Sequence, residues 1–279
     1  MNERRVVTAD GVMLALHRVR AHRDARAALL LVHGAFSNHR LWLRRGFAYY
    51  LSERRFDVWA ADLRHHGASD REPAPRTWRF ADWIQHDAPA LVTRVRAETV
   101  DAPLAWIGHS AGGAVGLCAA ARLGSALPLD AVVTFGTPGP RRMSGARWAG
   151  AAVMIALARA LGRFPARALG VGSEDEGAEL LADWLDWNVK GRWVGRDGYD
   201  YWEALRTLRT PYLAVAGADD TLWAPPAACA QVVERVGRDH ATLTVHDGLG
   251  HRGLVLSPRA RDSAWSATAD WLANTLSGL

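Results

Sequence analysis

The stretch Gly108-His109-Ser110-Ala111-Gly112 decides the reading of this chain, because an apolar run, Ala102 to Ile107, leads into it and a small-residue segment, Ala114 to Leu123, leaves it. A strand that enters a helix through so tight a turn strains its central residue and lifts that side chain above the sheet edge. Glycines on both sides remove the side chains that would collide there. In this setting Gly-x-Ser-x-Gly reads as a nucleophile elbow carrying Ser110.

Further continuous apolar runs occur at Ala27 to His33, Phe56 to Ala61, Ala131 to Phe135, Tyr212 to Ala216 and Ala241 to Val245. Such runs predict strands buried on both faces of a parallel sheet. Arg4 to Thr8 and Val12 to Val19 alternate around Asp10-Gly11 and predict an antiparallel hairpin at its edge. Helical patterns fall at Leu41 to Arg54, Phe80 to Thr99, Ala111 to Leu123, Pro226 to Val236 and Arg259 to Leu276. This alternation predicts an α/β fold with a doubly wound, mostly parallel sheet that binds ligands beyond the carboxyl ends of its strands. The rhythm breaks between Thr137 and Thr210, which holds two helical stretches, Ala146 to Leu161 and Glu176 to Val189. A strand-free interval of that length predicts an inserted helical cap over 137–210, with the core formed by 1–136 and 211–279.

The 279 residues, 49% of them hydrophobic, suit one α/β core with one insertion. The net charge of +5 comes almost wholly from arginine, since Lys190 is the only lysine, and no basic block of five occurs. That pattern reads as compositional bias and gives no nucleic-acid surface. Residues 1–10 lack the apolar stretch of a secretory signal, so no integral membrane segment and a cytoplasmic location are expected. Cys118 and Cys229 are too few for a disulfide framework, and Cys118 reads as a buried free thiol.

A serine hydroxyl needs a base within hydrogen-bond reach and a third group to orient that base. Two acids follow the Tyr212 run in Gly217-Ala218-Asp219-Asp220, and a histidine follows the Ala241 run in Gly248-Leu249-Gly250-His251. Each candidate stands past the C-terminal end of a predicted strand, on the same edge as Ser110. The order Ser, Asp, His is that of α/β-hydrolases. Singly, Ser110 reads equally as a turn serine, Asp220 as a turn residue before Pro225 and His251 as a loop histidine; their common order favours the catalytic reading.

With these residues the chain resembles the α/β-hydrolase superfamily, and within it the capped serine esterases and lipases of the monoacylglycerol-lipase type. The resemblance rests on His33-Gly34-Ala35-Phe36, on Asp62-Leu63-Arg64-His65-His66-Gly67-Ala68-Ser69, on the elbow, on Gly217 to Pro225 and on Gly250-His251. The second segment departs from the usual pattern at His65, where the family has Gly. The resemblance implies a catalytic set of Ser110, Asp220 and His251, favouring Asp220 over Asp219. It also implies an oxyanion hole from the backbone N–H groups of Ala35 and Ala111, with His33 supporting the Ala35 loop. The activity implied is hydrolysis of carboxylic esters through an acyl-enzyme, without cofactor. Acyl transfer, perhydrolysis, carbon-carbon bond hydrolysis and a non-catalytic ligand receptor are the alternatives.

Thirteen tryptophans are present, several of them in or beside the proposed cap. Aromatic surface over the catalytic edge suits a small-molecule ester with an apolar acyl or alcohol part. Phe36, His109, Trp148, Trp184 and Trp187 are the candidate pocket residues, although the tryptophans also suit gluing of cap to core. Arg141-Arg142 reads first as an exposed turn and only second as an anion contact. Adjacent His65 and His66 diverge and have no paired Cys or Glu nearby, so no metal site is expected. If Ala35 supplies an oxyanion donor, Ala35→Pro removes the N–H and lowers kcat on a p-nitrophenyl ester by about a hundredfold, while Ala35→Gly leaves it within a few-fold.

Overall fold

The computed structural model describes residues 2–20, 24–71, 78–99 and 101–277. Eight strands form one sheet: β1 (Asn2–Val7), β2 (Met13–Arg20), β3 (Ala28–Val32), β4 (Asp57–Asp62), β5 (Leu104–His109), β6 (Ala131–Phe135), β7 (Tyr212–Gly217) and β8 (Ala241–His246). Their order is β1-β2-β4-β3-β5-β6-β7-β8. The β1–β2 and β2–β4 pairs are antiparallel and every other pair is parallel. The winding direction reverses between β3 and β5, which places the loops after these two strands at the switch point where α/β sheets bind ligands.

Every residue of β3 to β7 is buried, as their continuous apolar character requires. Successive side chains point to opposite faces and feed two cores. Leu30, Val32, Trp59, Ala61 and Trp106 join one, and Leu29, Leu31, Val58, Ala60 and Ile107 join the other. Strand β8 differs from the expected buried run. It is the sheet edge, paired only with β7 among the described residues, and Thr242, Leu243, Thr244 and Val245 are partly or largely exposed.

The helices are α1 (Arg40–Leu43), α2 (Phe47–Glu53), α3 (Phe80–Asp82), α4 (Ala88–Glu98), α5 (Ala111–Leu123), α6 (Gly145–Leu161), α7 (Ala178–Lys190), α8 (Tyr201–Ala204), α9 (Pro226–Val236), α10 (Gly253–Leu256) and α11 (Ser266–Leu276). The single helix expected over Leu41 to Arg54 is two, because the chain turns through Gly46 at φ 94°. The helix expected from Phe80 is interrupted by a π-turn over Trp83–Asp87. Pro89 lies one turn further on, where it lacks an N–H and crowds the carbonyl of Gln85, and the wider turn relieves that conflict. A 3₁₀ turn (Pro258–Ala260) and a π-turn (Arg261–Trp265) likewise precede α11. The β6–β7 connection carries α6, α7 and α8, with two isolated bridges, Phe164 with Glu176 and Val194 with Asp200. Both cysteines are buried free thiols. Among the described residues no helix is long and apolar enough to cross a membrane.

Helix α5 crosses unusually close to β3. A Cβ placed on Gly112 would stand 2.3 Å from the His33 carbonyl oxygen and 2.5 Å from that of Val32, and one on Gly108 would stand 2.4 Å from the Gly112 backbone. Backbone cannot yield to a methyl group as a flexible side chain can. Gly112→Ala is therefore expected to destabilise the fold by about 2–3 kcal/mol, read from the midpoint of denaturant unfolding. An unchanged midpoint would contradict this packing.

Candidate active site

The turn after β5 holds Ser110 at φ 52°, ψ −119°, a conformation that an L-residue adopts only under constraint. Its surroundings supply that constraint. The Ser110 N–H donates to the Phe135 carbonyl at 2.9 Å, while its own carbonyl accepts from Thr137 Oγ1 at 2.8 Å and from the Gly113 N–H at 3.0 Å. Among the described residues Ser110 Oγ makes no hydrogen bond.

Past β7 and β8, the His251 Nδ1 donates to Asp220 Oδ2 at 2.6 Å. That bond places the ring proton on Nδ1 and leaves Nε2 as the basic nitrogen. Asp220 is buried, and its other oxygen accepts the Trp223 N–H at 3.0 Å. Burial pulls the Asp220 carboxyl up, but the hydrogen bond and charge of His251 outweigh it and hold the group below the ordinary carboxylate range. Asp219, the neighbouring candidate, is exposed and turned away from this contact. The ring of His109 lies 4.7 Å from that of His251, and its Nε2 donates to the His251 carbonyl at 3.2 Å. Burial, reinforced by the charge of His251, pushes His109 down to about 3, so it stays neutral. It packs beside Ser110 and His251 and supports the His251 backbone.

The loop after β3 approaches the elbow from the other side. His33 Nδ1 donates to the Gly34 carbonyl at 2.8 Å and its Nε2 accepts the Leu63 N–H at 3.1 Å. These two bonds fix one neutral tautomer, and burial next to His66 lowers its pKa to about 4. The N–H groups of Ala35 and Ala111 have no acceptor among the described residues. Ala111 is the first residue of α5, whose N–H has no partner within the helix. Phe36 follows at φ 61° and packs its ring 5.7 Å from that of Phe164.

Two carboxylates that sequence reasoning missed hold this loop from above. Glu176, fully buried, accepts the Phe36 N–H at 3.2 Å, Trp78 Nε1 at 3.3 Å and His66 Nε2 at 3.3 Å. The Phe36 carbonyl accepts the N–H groups of Ser173 at 2.8 Å and Glu174 at 3.1 Å. Glu174 in turn accepts Asn38 Nδ2 at 2.6 Å and the Gly67 N–H at 3.1 Å. His66 also donates Nδ1 to the Arg64 carbonyl at 2.9 Å, so both ring nitrogens are donors and the ring is an imidazolium. Burial opposes that charge, and Glu176 overrides it, raising His66 and lowering Glu176.

The departure at His65 has a conformational explanation. His65 takes φ 65°, where glycine is easiest and histidine is tolerated, and its ring stacks on Trp78 at 4.0 Å. The candidate tryptophans occupy three environments. Trp187 is buried against Phe80 at 4.5 Å, with its indole N–H on the Val194 carbonyl, and so glues the β6–β7 connection to the core. Trp184 is partly buried against that same core. Trp148 is 47% exposed and walls an outer groove of about 330 Å³ between α6 and α7. Arg141 donates to the Leu222 carbonyl at 3.0 Å. His17, His39 and Asp62 bring ligand-type atoms within 4.8 Å of one another. Asp62 is already engaged there by His17 Nε2 at 3.2 Å, His39 Nδ1 at 2.8 Å and the N–H groups of His39 and Ala68, which hold it below the usual carboxylate range against the upward pull of burial.

The family described as alpha/beta hydrolase fold matches residues 27–157. The solved DcsB complex with its substrate analogue aligns at a TM-score of 0.74 and 19% identity, covering 99% of each chain. The monoacylglycerol lipase of Paleococcus ferrophilus aligns at 0.66 and 17%, covering 93% of this chain and 99% of that one. The chain has the α/β-hydrolase fold. Among curated relatives, Lipase member N of Mus musculus is 26% identical over 157 residues, which are 48% of this chain and 39% of the relative. The chain thus spans well under half the length of the curated relatives it matches. Within the α/β-hydrolase fold, the loops after β3, β5, β7 and β8 converge at the observed site.

The Glu176–His66 pair gives a signed pH dependence. Glu176 is lowered, so its contribution to stability is present above its unfolded value near 4.5 and is lost as pH falls through the folded one. His66 is raised, so its contribution is present below 6.5 and is lost as pH rises through its folded value. The stability gap between wild type and Glu176→Gln is expected to be widest from pH 4.5 to 6.5 and to narrow on either side. Urea titrations of both proteins across that range measure it.

Proposed function

We propose that the chain is a serine hydrolase of carboxylic esters, with Ser110 as nucleophile, His251 as base and Asp220 orienting it. The Asp220–His251 hydrogen bond beside a strained elbow serine is the observation that carries this reading. The lipase and esterase names among its relatives agree with it.

His251 Nε2 takes the Ser110 proton as Oγ bonds to the ester carbonyl carbon. The resulting oxyanion sits against the N–H groups of Ala35 and Ala111, which are left without other acceptors. Collapse breaks the bond to the alkoxy leaving group, and His251 hands it the proton. A water molecule then repeats the sequence on the acyl-enzyme, releasing the carboxylic acid and restoring Ser110. Asp220 stays ionised and stabilises the imidazolium formed in each half. In this reading the β6–β7 connection over residues 137–210 is the cap, and Phe36 and His109 line the pocket floor.

A fluorophosphonate probe is expected to label the purified protein at Ser110, with labelling slowed at least about a hundredfold in His251→Ala. A p-nitrophenyl ester series should show turnover rising toward a preferred acyl length. Adduct mapping to another residue, or labelling indifferent to His251, would defeat the assignment.

A further inference from the structure

A cavity of about 730 Å³ opens beside the candidate site, and Ser37 and Arg252 in its wall directly follow Phe36 and His251 in the chain. Its walls come from the loops after β3 and β4, from α1 and α2, from the β6–β7 connection and from the two ends of α10, Arg252 before it and Leu256 at its close. Arg40, Arg44, Arg71, Arg167 and Arg252 all face it, against a single carboxylate among the described residues, Glu174. That carboxylate is already spent. It holds Asn38 and the Gly67 N–H on one oxygen and Arg71 on the other at 3.1 Å.

Among the described residues, the side chains of Arg40, Arg44, Arg167 and Arg252 have no hydrogen bond or ion pair. Elsewhere in the molecule arginines that gather are answered by acids, as Arg79 and Arg196 are by Glu179 and Asp183. Four unanswered guanidiniums at one concavity repel one another and make a field that an anion relieves. Guanidinium groups also match the oxygens of phosphate and carboxylate in paired hydrogen bonds. Leu43 and Leu256 add apolar wall for an alkyl spacer. The charge of Arg252 is felt at the elbow, since it contributes to keeping His109 neutral.

Resting on the hydrolase reading above, we propose that this arginine-lined cavity seats a phosphate or carboxylate group of the substrate, so that the ester cleaved is an anionic one. The anion would lie in the cavity while the carbonyl lies at Ser110.

Two matched pairs test this: a monoacylglycerol against its phosphate monoester, and a neutral ester against the hemiester of a dicarboxylic acid of similar length. The anionic member of at least one pair is expected to show kcat/KM about tenfold higher at low ionic strength, with the advantage shrinking in 0.5 M salt. Arg44→Gln with Arg167→Gln should remove most of that advantage and leave turnover of the neutral ester unchanged, which also shows that the variant folds. Preference in the first pair alone assigns phosphate, and in the second alone carboxylate. Equal kcat/KM within both pairs, or a preference untouched by the double variant, overturns the proposal. Calorimetric titration with inorganic pyrophosphate separates the two readings. Binding lost in the double variant by a protein that cleaves no ester sinks the hydrolase reading and keeps the anion site. Binding equal in both proteins, or absent from wild type together with equal kcat/KM in both pairs, sinks the anion site.

Discussion

The close crossing of α5 over β3 is the contact on which the site depends. With no side chain at Gly108 or Gly112, the helix start comes within atomic contact of the Val32 and His33 carbonyls, and the β3 loop lies directly against the elbow. At that separation Gly34 lies against His109 and Ser110 with no room for a side chain. The strain at Ser110 is sustained because its N–H and its carbonyl are both tied, to Phe135 and to Thr137 and Gly113. A conformation that costs of order 1–3 kcal/mol persists where its neighbours leave no alternative.

Around this contact the molecule assigns its histidines by burial and by partner. His33 and His109 are buried with only backbone bonds on their rings and are kept neutral. His66 is just as buried, yet it faces Glu176 and is charged. Arg64, raised further above its ordinary value by Asp10 and Asp87 against the cost of burial, ties the same loop to the sheet edge. Removing one member of such a pair strands the other charge away from water, which costs more than the pair contributes when intact. Glu176→Gln removes the charge that His66 faces while still offering an oxygen to the Phe36 N–H, so it isolates the ion pair from the loop's hydrogen bond.

Much of this was legible in the sequence, for physical reasons that differ by element. The buried strands β3 to β7 announce themselves because a strand covered on both faces must be apolar throughout, and α5 and α9 fall where their periodicity begins and ends. Asp220 and His251 could be singled out in the sequence because loops at strand ends meet at one sheet edge, and it is Asp220, not Asp219, that bonds His251 at 2.6 Å. Glu174 and Glu176 left no such trace. Their partners lie 98 to 140 positions away, and a carboxylate aimed inward from an irregular segment has no period to read. The arginine cavity was hidden by its scattering: five residues from distant segments looked like composition until folding gathered them.

The clamp on Phe36 also limits how far the β6–β7 connection can move. Residues 173–176 hold both the N–H and the carbonyl of Phe36, and Glu174 and Glu176 reach on to Asn38, Gly67, Trp78 and His66. Lifting that segment as a lid would break these bonds together, bare a buried imidazolium and release the loop that carries the Ala35 N–H. Each unpaired buried donor costs about 1–3 kcal/mol, so a wholesale swing is disfavoured by far more than substrate binding ordinarily supplies. Opening is then confined to the parts of the connection outside the clamp, where α6 leaves Trp148, Val153 and Leu157 exposed. The half beside Glu174 stays fixed, and with it the wall shared by the loop after β3 and the arginine cavity. A substrate anchored in that cavity would therefore meet a carbonyl site whose geometry is already set before it arrives.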